Sequence, residues 1–81
     1  MDYASVKKDV IEIFEDVMDV DDVTLEDDTT ANDVEEWDSL SHVRLIVAIE
    51  RQYGLKFANS EIEALQRFGD IIQLVLDKSA N

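Results

Sequence analysis

Apolar residues recur three and four positions apart along most of this 81-residue chain, with no proline and only Gly54 and Gly69 to interrupt them. Strands would demand alternation and turn residues every few positions, so this spacing dictates an all-α chain. Tyr3, Val6, Val10, Ile13, Phe14 and Val17 predict an amphipathic helix over 3–18. From Asp19 to Asp38 the periodicity gives way to Asp, Thr and Asn around isolated Val23, Leu25, Val34 and Trp37, a long loop fastened to the core at a few apolar points. Asp38 or Ser39 caps a second helix through Leu40, Val43, Leu45, Ile46, Val47, Ile49 and Tyr53, which stops at Gly54. Asn59 to Glu63 make a short third helix, with Ser60 and Glu63 at capping-box spacing. Ile71, Ile72, Leu74, Val75 and Leu76 make a last one from about Asp70 to Lys78. The expected architecture is a small four-helix bundle, three main helices and one short, forming one domain over residues 1–81, with a long acidic loop between the first two helices.

Charge narrows what such a bundle can do. Twenty Asp and Glu oppose seven Lys and Arg, for a net charge of −13, which repels phosphate backbones and anionic lipid heads. Residues 1–38 hold fifteen acids against Lys7 and Lys8 and so carry the whole surplus, while residues 39–81 balance five acids with five bases. Ten of the acids lie between Asp19 and Asp38 with no base among them. Neither nucleic-acid nor membrane binding is expected. The longest apolar run, Leu45 to Ile49, is too short for a signal peptide or a span, so the expected location is cytoplasmic. Self-repulsion favours a monomer.

Enzyme classes fall away in turn. Without cysteine the chain has no thiol nucleophile or thiolate ligand of its own, and a single histidine is a poor start for a metalloenzyme. An EF-hand begun at Asp19 would need Gly where Thr24 stands and Glu where Thr30 stands. A serine hydrolase would need a base for Ser39, and the helical wheel turns His42 toward the core. Weak, nonspecific divalent binding to the acidic loop is the one metal behaviour expected.

On that wheel, at about 100° per residue, His42, Leu45, Ile46, Ile49 and Tyr53 share one arc, the core stripe of the second helix. Leu40, Val43 and Val47 fall to one side of it. Two readings compete: they pack beneath the 19–38 loop, or they form an exposed docking strip. Ser39, at the start of this helix, meets unpaired N–H groups and the positive end of the helix dipole, which suit a phosphate. The bland alternative is a plain N-cap.

The wider pattern resembles a known family. Asp38-Ser39-Leu40, after an acidic loop and before an apolar helix ending Ala48-Ile49-Glu50-Arg51-Gln52-Tyr53-Gly54-Leu55, is similar to the acyl carrier proteins, whose Asp-Ser-Leu serine holds a phosphopantetheine arm. Val6-Lys7-Lys8 and Phe68-Gly69-Asp70-Ile71-Ile72 fall in register with the same family, so the likeness runs from Val6 to Lys78. It implies that Ser39 bears phosphopantetheine, flanked by Asp38 and Leu40, and that the arm's thiol carries an acyl or aminoacyl group as a thioester. It further implies a phosphopantetheinyl transferase and acyl-loading and acyl-transferring enzymes as partners, gripping Leu40, Val43, Arg44 and Val47, with no catalysis by the chain itself. Three features depart from the fatty-acid carriers, two of them just ahead of Ser39: Glu36 stands where many have Gly, and Trp37 where a small residue is common. The second helix carries Arg44 and Arg51 against Glu50 alone, where fatty-acid carriers tend to be acidic. The Trp37-Asp38-Ser39-Leu40-Ser41-His42 wording resembles discrete carriers of specialised polyketide, nonribosomal peptide or glycan-modifying pathways. Trp37 reads as an anchor over the core, and His42 as a half-buried packing residue making one hydrogen bond. The rival to the carrier reading is an unmodified acidic helical interaction module using the same surface.

Overall fold

A computed structural model describes residues 2–21 and 23–79. Asp22, one of the ten loop acids, lies outside the described residues, as do Met1, Ala80 and Asn81 of the domain drawn over 1–81.

Helix α1 spans Tyr3–Met18. Asp2 caps it by accepting from the Ser5 amide at 2.8 Å, and Val6, Val10, Phe14 and Met18 form its buried stripe. The chain leaves through Asp19, whose left-handed backbone (φ 56°) lets its N–H donate to the Glu15 carbonyl. Helix α2 spans Ser39–Tyr53 with Asp38 as N-cap, buries Leu45, Ile46 and Ile49, and ends at Gly54, whose φ of 65° costs a residue without Cβ little. Tyr53 on α2 donates its hydroxyl proton to Asp9 Oδ2 on α1 at 3.1 Å. Burial, with that carboxylate second, pushes its phenol up to about 12. Helix α3 is Asn59–Glu63 and helix α4 is Phe68–Ser79. Among the described residues every regular element is helical, apart from an isolated bridge between Thr30 and Arg67. No helix among them is long and apolar enough to cross a membrane.

Helix α1 packs on both α2 and α4. Phe14 sits at the centre, edge-on to Trp37 from the loop (centroids 5.4 Å apart) and to Phe68 of α4 (6.1 Å), the geometry that aromatic quadrupoles prefer. The loop is fastened as its apolar residues suggest: Leu25, Val34 and Trp37 are buried and Val23 is partly so. It also contains a 3₁₀ turn at Ala31–Asp33, which the sequence reading did not anticipate, set up by the Thr30 amide donating to Asp33 Oδ2 at 2.9 Å.

Two expectations need correction. The cap of α3 is not the Ser60–Glu63 pair: the Glu61 carboxylate accepts from the Ala58 amide at 2.7 Å, so the helix is closed from Ala58, two positions earlier. Helix α4 begins at Phe68, not near Asp70. The Phe68 and Gly69 amides donate to the Thr29 and Asp27 carbonyls, both at 2.8 Å, while Asp70 reaches back to the Arg67 amide at 3.0 Å. Orphan donors of the first turn are thus satisfied by a loop some forty residues distant in sequence.

Candidate functional site

Asp38 and Ser41 form a reciprocal cap at the start of α2. The Ser41 amide donates to Asp38 Oδ1 at 2.9 Å, and the Asp38 amide donates to Ser41 Oγ at 2.8 Å. Ser41 completes the arrangement by donating its own hydroxyl proton to the Glu36 carbonyl at 2.8 Å, which bends the chain sharply just ahead of the helix. The Ser41 backbone N–H, with the Ser41 side chain second, holds the Asp38 carboxyl below the usual carboxylate range. The expectation that Asp38 or Ser39 caps the helix therefore resolves to Asp38, and Ser39 becomes the first helical residue.

That resolution frees Ser39. Its side chain is exposed, and among the described residues its hydroxyl takes part in no hydrogen bond. Ser41, two positions on, is engaged as donor and acceptor. Two serines in one turn are thereby sorted into a structural one and an available one.

Trp37 and His42 are joined. The indole Nε1–H donates to His42 Nδ1 at 3.1 Å, with the rings near parallel (28°) and 6.1 Å apart. Trp37 is only 4% exposed, so it anchors the loop as expected; His42 is half-buried as expected but bonds the Ile62 backbone as well as the indole, where one hydrogen bond was expected. Burial pushes His42 below its usual range, opposed by the Ile62 backbone. With Nδ1 held by tryptophan, His42 is no base for Ser39. Beside them a solvent-open cavity of about 540 Å³ is lined by Ser39, Trp37, His42, Ile62, Leu65 and Gln66, together with Ala31, Asn32, Asp38 and Glu63.

The apolar strip of α2 does not lie under the loop. Leu40, Val43 and Val47 are 65%, 55% and 39% exposed, which settles the two readings of the wheel in favour of an open surface. Arg44, on the same face, is exposed and joins no ion pair among the described residues.

With this geometry in view, comparison with known proteins is decisive. Residues 8–75 match the model of the phosphopantetheine attachment site family. The fold is similar to a solution NMR structure of the holo acyl carrier protein from Geobacter metallireducens, with a TM-score of 0.86, 43% sequence identity, and coverage of 93% of this chain and 86% of that one. The chain belongs to the acyl carrier protein family. Its cofactor is covalently attached phosphopantetheine, and its function is that of an acyl carrier.

The residues present fit that group. A serine hydroxyl without a partner stands at a helix N-terminus beside a cavity whose walls include Trp37, Ile62 and Leu65, apolar enough for a thin chain and edged by Gln66 and Asn32 for its amides. Sequence reasoning missed Ser41 as half of the cap, although Asp-x-x-Ser ahead of an apolar run was there to be read. It also missed Ile62, Leu65 and Gln66. No local pattern marks them, because α3 and the connection that follows it bring them to Ser39 only through the tertiary fold.

Proposed function

We propose that residues 1–81 form one carrier domain in which Ser39 is the attachment point, with Asp38 and Leu40 presenting it. Ser39 Oγ takes the phosphoryl end of the arm from coenzyme A as a phosphodiester, loses its proton, and releases the adenosine bisphosphate. The arm supplies a terminal thiol able to hold an acyl or aminoacyl group as a thioester, which a chain without cysteine cannot supply. The chain's own contribution is placement. The Asp38–Ser41 cap fixes the turn, the positive end of the α2 dipole would favour a phosphate on Ser39, and tethering raises the cargo's effective concentration at each partner. Leu40, Val43, Arg44 and Val47 make the surface that the phosphopantetheinyl transferase and the loading and transferring enzymes contact.

The single observation that carries this reading is the exposed, unengaged Ser39 hydroxyl at the first residue of a capped helix. The Trp37–His42 pairing and the arginines of α2 support a discrete carrier of a specialised pathway in preference to a fatty-acid carrier. Net charge and composition support a cytoplasmic monomer. The test is intact mass after incubation with coenzyme A and a broad-specificity phosphopantetheinyl transferase. Wild type and Ser41→Ala are expected to gain one phosphopantetheine, and Ser39→Ala none. A folded wild type that gains nothing from a transferase active on another carrier would instead favour the unmodified interaction module.

A further inference from the structure

Leu40, Val43, Arg44, Val47 and Arg51 fall within about 100° of the α2 wheel at ordinary helical spacing, and all five are exposed. They make one stripe, apolar along one edge and cationic along the other. Neither arginine joins an ion pair among the described residues, where the pairs are Lys7–Asp27, Arg67–Asp70 and Lys78–Glu61. The one acid of the helix, Glu50, is committed elsewhere, its Oε2 accepting from the Phe57 amide at 2.8 Å. At the lower end of the stripe a groove of about 360 Å³ is lined by Val47, Glu50, Arg51, Leu55 and Lys56, which adds an exposed third cation.

This cationic edge belongs to a molecule of net charge −13 whose whole surplus lies in residues 1–38. The acidic loop and the α2 stripe meet at Ser39, so the two sides of the attachment point differ in sign. A partner with a uniformly basic face matches the loop but sets cations against Arg44 and Arg51, and a phosphate backbone is repelled by the molecule as a whole.

Taking the carrier reading above as its basis, we infer that α2 docks against a partner protein whose apolar cleft, receiving Leu40, Val43 and Val47, is bordered by carboxylates that pair with Arg44 and Arg51. Those carboxylates discriminate among partners. A basic-rimmed enzyme is excluded by like charge at contact even though the molecule's overall field draws it in.

The test uses two helical 18-residue peptides with the same leucine stripe, one flanked by Glu and the other by Lys, titrated into the ¹⁵N-labelled holo protein at about 0.15 M salt, where the long-range field is screened and contact pairs remain. The Glu peptide is expected to shift the amides of 40–51 and to bind Arg44→Glu/Arg51→Glu about tenfold more weakly, the loss being graded in Arg44→Gln/Arg51→Gln. The Lys peptide is expected to shift the 19–38 loop instead. A Glu peptide that leaves 40–51 unmoved, or binds the double variant equally well, overturns the inference, as does a Lys peptide that prefers α2. Amides of 40–51 that move with protein concentration alone put a second copy on the stripe and also overturn it. Intact mass after transferase treatment reads the attachment separately: a protein that is modified yet ignores the Glu peptide refutes the stripe alone, and one that binds the peptide yet is never modified at Ser39 refutes the carrier reading.

Discussion

At the scale of single residues, Ser41 and Ser39 show how little separates a structural hydroxyl from a reactive one. Ser41 accepts from the Asp38 amide and donates to the Glu36 carbonyl, so Ser41→Ala removes both and should lower stability by about 1 kcal/mol. Urea unfolding checks the loss, and because Ser39 does not depend on that hydroxyl chemically, modification should persist; a Ser41→Ala protein as stable as wild type would show that the cap contributes nothing. His42 gives a pH prediction whose sign follows from its environment. Its folded pKa is depressed by burial, so the unfolded chain binds the proton first. Stability is full above about pH 6.5, falls as pH drops below that unfolded value, and stops falling at the folded pKa. Protonation also places a proton on Nδ1, where the Trp37 indole N–H needs an acceptor. Since His42 is the chain's one histidine, the decline of Tm from pH 7 toward pH 5 should shrink in His42→Gln. An equal decline in that variant would assign it to other groups.

Elements show where local sequence suffices and where it does not. Helix α1 was legible from its apolar periodicity alone, and α2 from its periodicity together with the cap at Asp38 or Ser39 and the stop at Gly54. The exposure of Leu40, Val43 and Val47 was half legible: the wheel separated them from the core stripe, but whether the loop covers them depends on where Leu25, Val34 and Trp37 fasten it. The start of α4 was not legible, because its first amides are held by Thr29 and Asp27 across the chain. That junction explains Gly69. A Cβ there would meet the Asp27 carbonyl oxygen at 2.9 Å and the Tyr3 hydroxyl at 3.2 Å. Helix propensity alone would reward Gly69→Ala by up to about 1 kcal/mol. The clash is with the Asp27 backbone carbonyl that accepts from the Gly69 amide, so the loop must move or break that bond. Gly69→Ala is therefore expected to destabilise by about 1–3 kcal/mol, seen as a lower urea midpoint with an unchanged slope. A gain in stability would mean that the loop yields freely.

For the whole molecule, the question is how so acidic a chain stays folded. The described residues span 33 × 25 × 21 Å, and among them the loop's acids receive one cation from outside their own segment, Lys7 on Asp27 at 2.9 Å. At about 0.01 M salt the Debye length is near 30 Å, so every acid feels every other; at about 0.15 M it is near 8 Å and only neighbours interact. Compact charge of one sign is thus penalised most at low salt, whereas the unfolded chain spreads the same charge over a larger volume. The hydrophobic core of Phe14, Trp37, Phe68 and the aliphatic side chains around them is insensitive to this range of salt. Raising NaCl from about 10 to 150 mM should therefore raise Tm by several degrees, the equivalent of about 1 kcal/mol in a domain of this size. Magnesium at matched ionic strength separates screening from binding. An equal rise means diffuse screening, and a larger one means that divalent ions gather on the acidic segment of the folded state. A Tm indifferent to both salts would show that the separation of the acidic half from the neutral half already relieves the repulsion within the fold.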